Sequence, residues 1–139
     1  MILVDTNVFS EVIRPVPDPK VVDWLYERRT NTLLSSLVAA EIDLGIQTTS
    51  GSAKRRLLEA WFARLLEQHK GRIVDFDLAA ARCWASFNSK ALLADIRAGT
   101  RPMDLLLAAQ ALALDVPFAT RNAVHFEDTD VHVINPWTS

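Results

Sequence analysis

The order of apolar and polar positions divides the chain into short strands and amphipathic helices. Ile2-Leu3-Val4 is a continuous apolar run closed by an acid, the pattern of a buried parallel strand. Asp5-Thr6-Asn7 offers capping side chains, and residues 8–13 read as a short helix that Pro15, Pro17 and Pro19 end. Asp18 is expected to cap a second helix, with Pro19 at its first position and Val21, Val22, Trp24 and Leu25 inward, running to about Arg29. Residues 31–36 predict a strand, 37–47 a helix and 48–52 a loop. Residues 53–69 predict a long helix, on which Leu57, Leu58, Trp61, Leu65 and Leu66 recur at helical spacing until Gly71 stops it. A third strand is expected at 72–76 and a helix capped by Asp77 from about Leu78 to Arg97. A turn at Gly99-Thr100, a helix from about Pro102 to Leu114, and strands at 117–120 and 131–134 complete the reading.

Strands alternating with helices point to an α/β fold whose parallel sheet carries helices on both faces. Ligands of such sheets bind beyond the carboxyl ends of the strands, where strand order reverses. Asp5 and the run Thr120-Arg121-Asn122 fall just past two such ends. With no repeat, low-complexity stretch or linker, residues 1–139 are expected to form one domain.

Composition narrows the function classes. Half of the 139 residues are hydrophobic and 23% are charged, which suits a packed core and not a disordered chain. No apolar run approaches the roughly 18 residues of a membrane helix. The first residues carry no basic leader, so no signal peptide is expected and the cytoplasm is the expected compartment. A lone cysteine, Cys83, rules out an internal disulfide and a cysteine metal cluster, and its helical, mostly apolar setting predicts a buried thiol. A net charge of −2 argues against a broad nucleic-acid-coating surface. Positive charge is nonetheless grouped at Arg28-Arg29, Lys54-Arg55-Arg56 and Arg97 to Arg101, each of which also reads as a solvated helix face.

Three carboxylates break the apolar pattern. Asp5 ends a strand read as buried on both faces. Glu41 lies mid-helix with Leu37, Val38, Leu44 and Gly45 one turn away, so it is expected to share the core-facing stripe; Asp104 has Leu107 and Ala108 as its one-turn neighbours. An unpaired buried carboxylate costs several kcal/mol or takes up a proton. Each has a local answer: Asp5 as a helix cap, Glu41 in an ion pair, Asp104 against a helix dipole. One divalent cation answers all three if the fold brings them together, and magnesium prefers such oxygen ligands. His69, His125 and His132 show no zinc-ligand spacing with cysteine or with one another. Magnesium or manganese on oxygen ligands implies phosphate chemistry.

These residues also carry a family resemblance. Val4-Asp5-Thr6-Asn7 resembles the opening of PIN-domain nucleases, and residues 40–45 around Glu41 resemble their second acidic motif. Residues 102–111 around Asp104 resemble the third, and residues 120–126 the fourth block. The closing Val133-Ile134-Asn135-Pro136-Trp137 is similar to the tail of the FitB-like branch of VapC toxins. The resemblance covers essentially the whole chain. It implies a PIN-like three-layer fold with a central parallel sheet of about five short strands. It implies a magnesium-dependent endoribonuclease, with manganese as a substitute, acting as the toxin of a type II toxin–antitoxin pair. Asp5, Glu41 and Asp104 match the acidic site positions and Asn7 a polar residue that helps hold the site, with Thr6 beside it. Water activated by the metal would cut RNA, transfer RNA being one candidate, leaving 5′-phosphate and 3′-hydroxyl ends. The implied partners are a VapB-like antitoxin lying across the site and a second copy of the chain, as a homodimer or within a higher toxin–antitoxin assembly.

One position departs from the family pattern: His125 stands where the fourth block carries an aspartate. Thr120, Asn122 or His125 itself could fill the gap, directly or through water. Arg101 and Arg121 are the arginines nearest the site motifs and the candidates for RNA backbone contact. Trp24 and Trp61 are candidates for lining a groove that takes an antitoxin helix, although all four tryptophans also read as core. Two other functions compete. One is a weak or inactive PIN fold that only binds a partner or RNA; the other is a phosphatase or DNA-directed nuclease on the same acids.

Overall fold

The computed structural model describes residues 1–87, 93, 94, 97 and 103–139. Its five strands are β1 (Ile2–Val4), β2 (Thr32–Ser35), β3 (Ile73–Val74), β4 (Phe118–Ala119) and β5 (Val133–Ile134). The helices whose bounds are described are α1 (Thr6–Ser10), α2 (Pro19–Glu27), α3 (Ser36–Gln47), α4 (Ser52–Gln68), α5 (Leu78–Ala85) and α6 (Met103–Leu114), and Leu93, Ala94 and Arg97 are helical as well. Two 3-10 turns lie at Glu11–Ile13 and Ala123–Phe126.

All strand pairs are parallel and the order is β3-β2-β1-β4-β5. From β1 the chain steps outward through β2 to β3, then returns to build β4 and β5 on the other side. Right-handed crossovers then place the helices of the two halves on opposite faces of the sheet. Strand order reverses between β1 and β4, where Leu3 pairs with Phe118 and Val4 with Ala119. That reversal opens a crevice at the carboxyl ends of the two strands.

Burial explains the elements. Leu3 and Val4 are fully buried, as a central parallel strand requires. Val38, Ile42 and Ile46 recur every four residues on α3 and fill one side of the core. Leu105, Leu107, Ala108 and Ala111 of α6 fill it further, and Phe118 meets Phe126 edge-on with centroids 5.8 Å apart. Helix starts follow the sequence reading: Asp18 accepts from the Lys20 N–H at 2.9 Å with Pro19 at the first position, and Asp77 accepts from the Ala80 N–H at 3.0 Å. Gly71 takes φ +80 just beyond the end of α4.

Several expected boundaries move. The helix expected at 8–13 is one α turn that tightens into the 3-10 turn. The third strand shrinks to two residues because its partner β2 ends at Ser35, where α3 begins, and offers no further ladder. The fifth strand starts at Val133, beside a β4 that Pro117, lacking an N–H, cannot extend. Leu57, expected on the apolar stripe of α4, is 73% exposed, since residues 51–57 overhang the core. The helix expected from Leu78 to Arg97 is interrupted at Ser86, whose hydroxyl donates back to the Cys83 carbonyl at 2.8 Å, while the described later residues of that span, Leu93, Ala94 and Arg97, are helical. Cys83 itself is half-buried and free, not fully buried. Trp24 is core, while Trp61, Trp84 and Trp137 are half-buried against it. The Gly99-Thr100 turn, Arg101 and Pro102 lie outside the described residues. No helix among the described residues is long and apolar enough to cross a membrane.

Candidate functional site

The crevice between β1 and β4 holds a pocket of about 420 Å³ lined by Asp5, Thr6, Asn7, Ser10, Glu41, Met103, Asp104, Asn122 and His125. Asp5 is the first residue beyond β1, and its N–H donates to the Ala119 carbonyl at 2.9 Å, continuing the β1–β4 pairing. Its side chain then turns to cap α1. Oδ1 accepts from the Thr6 N–H and Oδ2 from the Thr120 hydroxyl, both at 2.7 Å. Thr120 therefore joins the site from behind, as a fully buried residue that holds Asp5 in place.

Asp104 enters from the first turn of α6 and is 6% exposed. Its Oδ2 accepts from Asn122 Nδ2 at 3.3 Å and lies 3.8 Å from His125 Nδ1. Its Oδ1 is buried with no hydrogen-bond partner. Glu41 comes from α3 but not from the core-facing stripe expected of it, which belongs to Val38, Ile42 and Ile46. It sits one residue round the helix, half-buried, on the flank that faces the pocket. Behind the pocket, Gln110 ties α6 to the sheet: its Oε1 accepts from Ser35 Oγ at 2.6 Å and its Nε2 donates to the Val74 carbonyl at 3.3 Å.

The electrostatics reflect three carboxylates in one small space. Burial pushes the Asp5 carboxyl up from 3.8 to about 6, against the hydrogen bonds from Thr120 and Thr6 and with help from the charges of Asp104 and Glu41. Burial also raises Glu41, opposed by the Thr6 hydroxyl, which lies near it without full hydrogen-bond geometry, and reinforced by Asp104. Glu11 is the instructive contrast. It is equally buried by surface area, but the Asp18 N–H at 2.8 Å and Arg14 at 3.1 Å satisfy it, and these hold its carboxyl below the usual range. Among the described residues no lysine or arginine pairs with Asp5, Glu41 or Asp104.

Unsatisfied polar atoms concentrate in the same place. Among the described residues five buried side-chain atoms lack a hydrogen-bond partner, and four of them, Thr6 Oγ1, Asn7 Oδ1, Asp104 Oδ1 and His125 Nδ1, line this pocket. The fifth, Trp24 Nε1, lies elsewhere. Buried polar atoms are seldom left alone without a reason. Three oxygens and one imidazole nitrogen around paired acids form a donor set that suits a divalent cation. Among the described residues no group of three His, Cys, Asp or Glu side chains is already set to hold an ion. Magnesium is bound through one or two carboxylates and keeps several waters, so it does not need three direct ligands.

The other sequence candidates separate. Arg121 does not line the pocket; its guanidinium lies 5.0 Å from the Trp137 ring centre, on the exposed rim beyond β4. Arg101 lies outside the described residues. Ser10 and Met103 line the pocket without having been singled out in the sequence. Ser10 was findable, since it stands one turn after Asn7 on the same helix face. A larger groove of about 620 Å³ between α3 and α4 holds no comparable cluster, because its Arg55 and Glu59 pair with each other at 3.1 Å.

The comparisons agree with this geometry. The family profile described as PIN domain matches residues 2–131. The toxin FitB of Neisseria gonorrhoeae is 36% identical over 141 aligned residues, covering 99% of both chains. The VapC ribonuclease Y4jK of Sinorhizobium fredii is 32% identical, covering 99% of this chain and 98% of its own. Among solved structures, a chain of FitAcB from Neisseria gonorrhoeae superposes over the full length of both with a TM-score of 0.83 and 33% identity. The strand-order reversal, the acids gathered at it and this end-to-end likeness make the chain a member of the PIN-domain family, in the group that holds the VapC and FitB proteins.

Proposed function

We propose that this chain is the toxin of a type II toxin–antitoxin pair, a magnesium-dependent endoribonuclease in which manganese can replace magnesium. The observation that carries the reading is the concentration of partnerless buried donors around carboxylates that no described lysine or arginine neutralises. The relatives named a ribonuclease and a toxin support the same reading. When bound, a divalent cation supplies Lewis acidity toward water and toward the phosphate oxygens. Asp5 and Asp104, with Glu41 beside them, would hold that cation. Thr6 and Thr120 fix the rotamer of Asp5, and Asn122 fixes that of Asp104. Glu41, half-buried with its carboxyl raised, lines the same pocket and would take a proton from the attacking water. Arg121 on the rim, and Arg101, attract the RNA backbone without reading bases.

The partner reading rests on a second surface. Phe9, Val22, Leu25, Trp61 and Leu65 line an apolar groove of about 340 Å³ with Arg29 and Tyr26 at its side. Its shape and lining suit the apolar face of an amphipathic antitoxin helix. The toxin works as a cytoplasmic homodimer, and residues 1–139 act as one PIN domain.

The test is direct. Purified protein is incubated with labelled RNA, labelled DNA and a small phosphomonoester, in magnesium and in EDTA. Cutting of RNA alone, dependent on magnesium and abolished in Asp5→Asn and Asp104→Asn with the fold retained, is expected. Undiminished cutting in either mutant would sink the nuclease assignment. Tight RNA or antitoxin binding with no cutting would move the chain to a pure binding module.

A further inference from the structure

Among the described residues that line the pocket, His125 supplies the one imidazole, beside mostly oxygen ligands. Its Nδ1 is buried and makes no hydrogen bond, although 42% of the side-chain surface is exposed. The buried edge of the ring therefore faces the pocket and the other edge faces water. The ring is held in that attitude by the 3-10 turn, where the His125 N–H donates to the Asn122 carbonyl at 3.2 Å, and by the Phe126 ring, with centroids 6.3 Å apart. Nδ1 faces Asp104 Oδ2 at 3.8 Å, beyond hydrogen-bond reach. Two donors bound to one ion at about 2.0–2.1 Å stand roughly 3 Å apart when adjacent and roughly 4 Å apart when opposite. The Asp104–His125 pair falls between those limits. Beside it, Asp104 Oδ1 is buried and free of partners.

We infer that His125 Nδ1 is a direct metal ligand paired with Asp104, so that manganese, the substitute ion, binds this site more tightly than magnesium, which would serve by its abundance. The inference rests on the reading of this pocket as a divalent-cation site and adds the identity of one donor. The physical reason is ligand softness. An imidazole nitrogen contributes little to a magnesium ion, which selects oxygen, whereas it strengthens binding of manganese and more so of the later divalent ions. A carboxylate at the same place would leave oxygen donors around the ion and weaken that discrimination.

The experiment uses the full chain without a histidine tag, stripped with EDTA and loaded with manganese as the probe. Pulsed electron paramagnetic resonance reads the nuclear modulation of a coordinated imidazole nitrogen. That modulation is expected in the unmodified protein and absent in His125→Ala and His125→Asp. Competition titration is expected to show the manganese-over-magnesium preference falling about tenfold or more in His125→Asp. Circular dichroism confirms that the variants are folded, as a substitution in an exposed turn permits. Bound manganese without nitrogen modulation, or modulation that survives His125→Ala, overturns the inference. If that result comes with manganese binding still lost in Asp104→Asn, the carboxylate reading stands alone. Manganese binding indifferent to both Asp5→Asn and Asp104→Asn removes the two together.

Discussion

Both oxygens of Asp5 are engaged by donors of the chain itself, yet burial leaves its negative charge costly enough to lift the carboxyl from 3.8 to about 6. The folded state therefore binds a proton more tightly than the unfolded one. The stability this group contributes is fully present below about pH 4 and is lost as pH rises through about 6, a difference on the order of 3 kcal/mol. His69 works in the opposite sense. It is buried, and its lowered pKa makes its contribution present above its ordinary 6.5 and lost as pH falls. The two are separated by subtraction. In EDTA, Asp5→Asn is expected to be more stable than the parent at pH 7.5 and to lose that advantage at pH 4, as measured by urea unfolding. An advantage that does not change with pH would refute the burial account. The acids themselves were legible because each interrupts an apolar run. The flank position of Glu41 was not, since a one-residue rotation on a helix exchanges core for pocket and the spacing of Leu37 and Leu44 pointed both ways. Glu11, His69 and Gln110 were also hidden, because burial of a polar residue depends on partners that the chain supplies from elsewhere.

Between elements, the same dependence on distant partners sets what holds the fold together. His69 Nδ1 donates to the Leu65 carbonyl at 2.8 Å, which leaves Nε2 to accept from the Thr32 hydroxyl, also at 2.8 Å. Phe9 meets the ring edge-on at 5.2 Å. Arg72 adds bonds to the carbonyls of Thr32 at 2.5 Å, Arg29 at 3.2 Å and Gln68, closing the ends of α2 and α4 over β2. His69→Ala is expected to cost roughly 2–4 kcal/mol, since it strands a buried hydroxyl and empties an aromatic contact. Chemical denaturation with a loss below about 0.5 kcal/mol would show the junction to be inert. Capped helix starts were readable from sequence because Asp18 with Pro19, and Asp77, act within three residues of themselves. The short edge strands were not, because their lengths are set by β2 and β4, which stop early for reasons of their own.

At the scale of the whole molecule, alternation of strands and helices fixed the parallel class, and the place of Asp5 at a strand end located the crevice. The sheet order was not readable, because nothing local tells β4 to return beside β1. Two predictions belong here. Magnesium at about 100 times its dissociation constant should stabilise the protein at pH 7.5 by about 2.7 kcal/mol, and should leave Asp104→Asn unmoved in a thermal scan. Trp61→Ala, on the wall of the apolar groove, should weaken antitoxin binding tenfold or more, as loss of a buried aromatic anchor does, while leaving RNA cutting by the free protein unchanged. Equal titration curves for the two proteins would clear the groove of that role. The central strand has a last consequence, for synthesis. β1 is made well before β4, so it waits for residues 118–119 to flank it, and the pocket waits for Asn122 and His125. During synthesis the pocket therefore stays unfinished until those late residues have left the ribosome and docked on a strand made more than a hundred residues earlier.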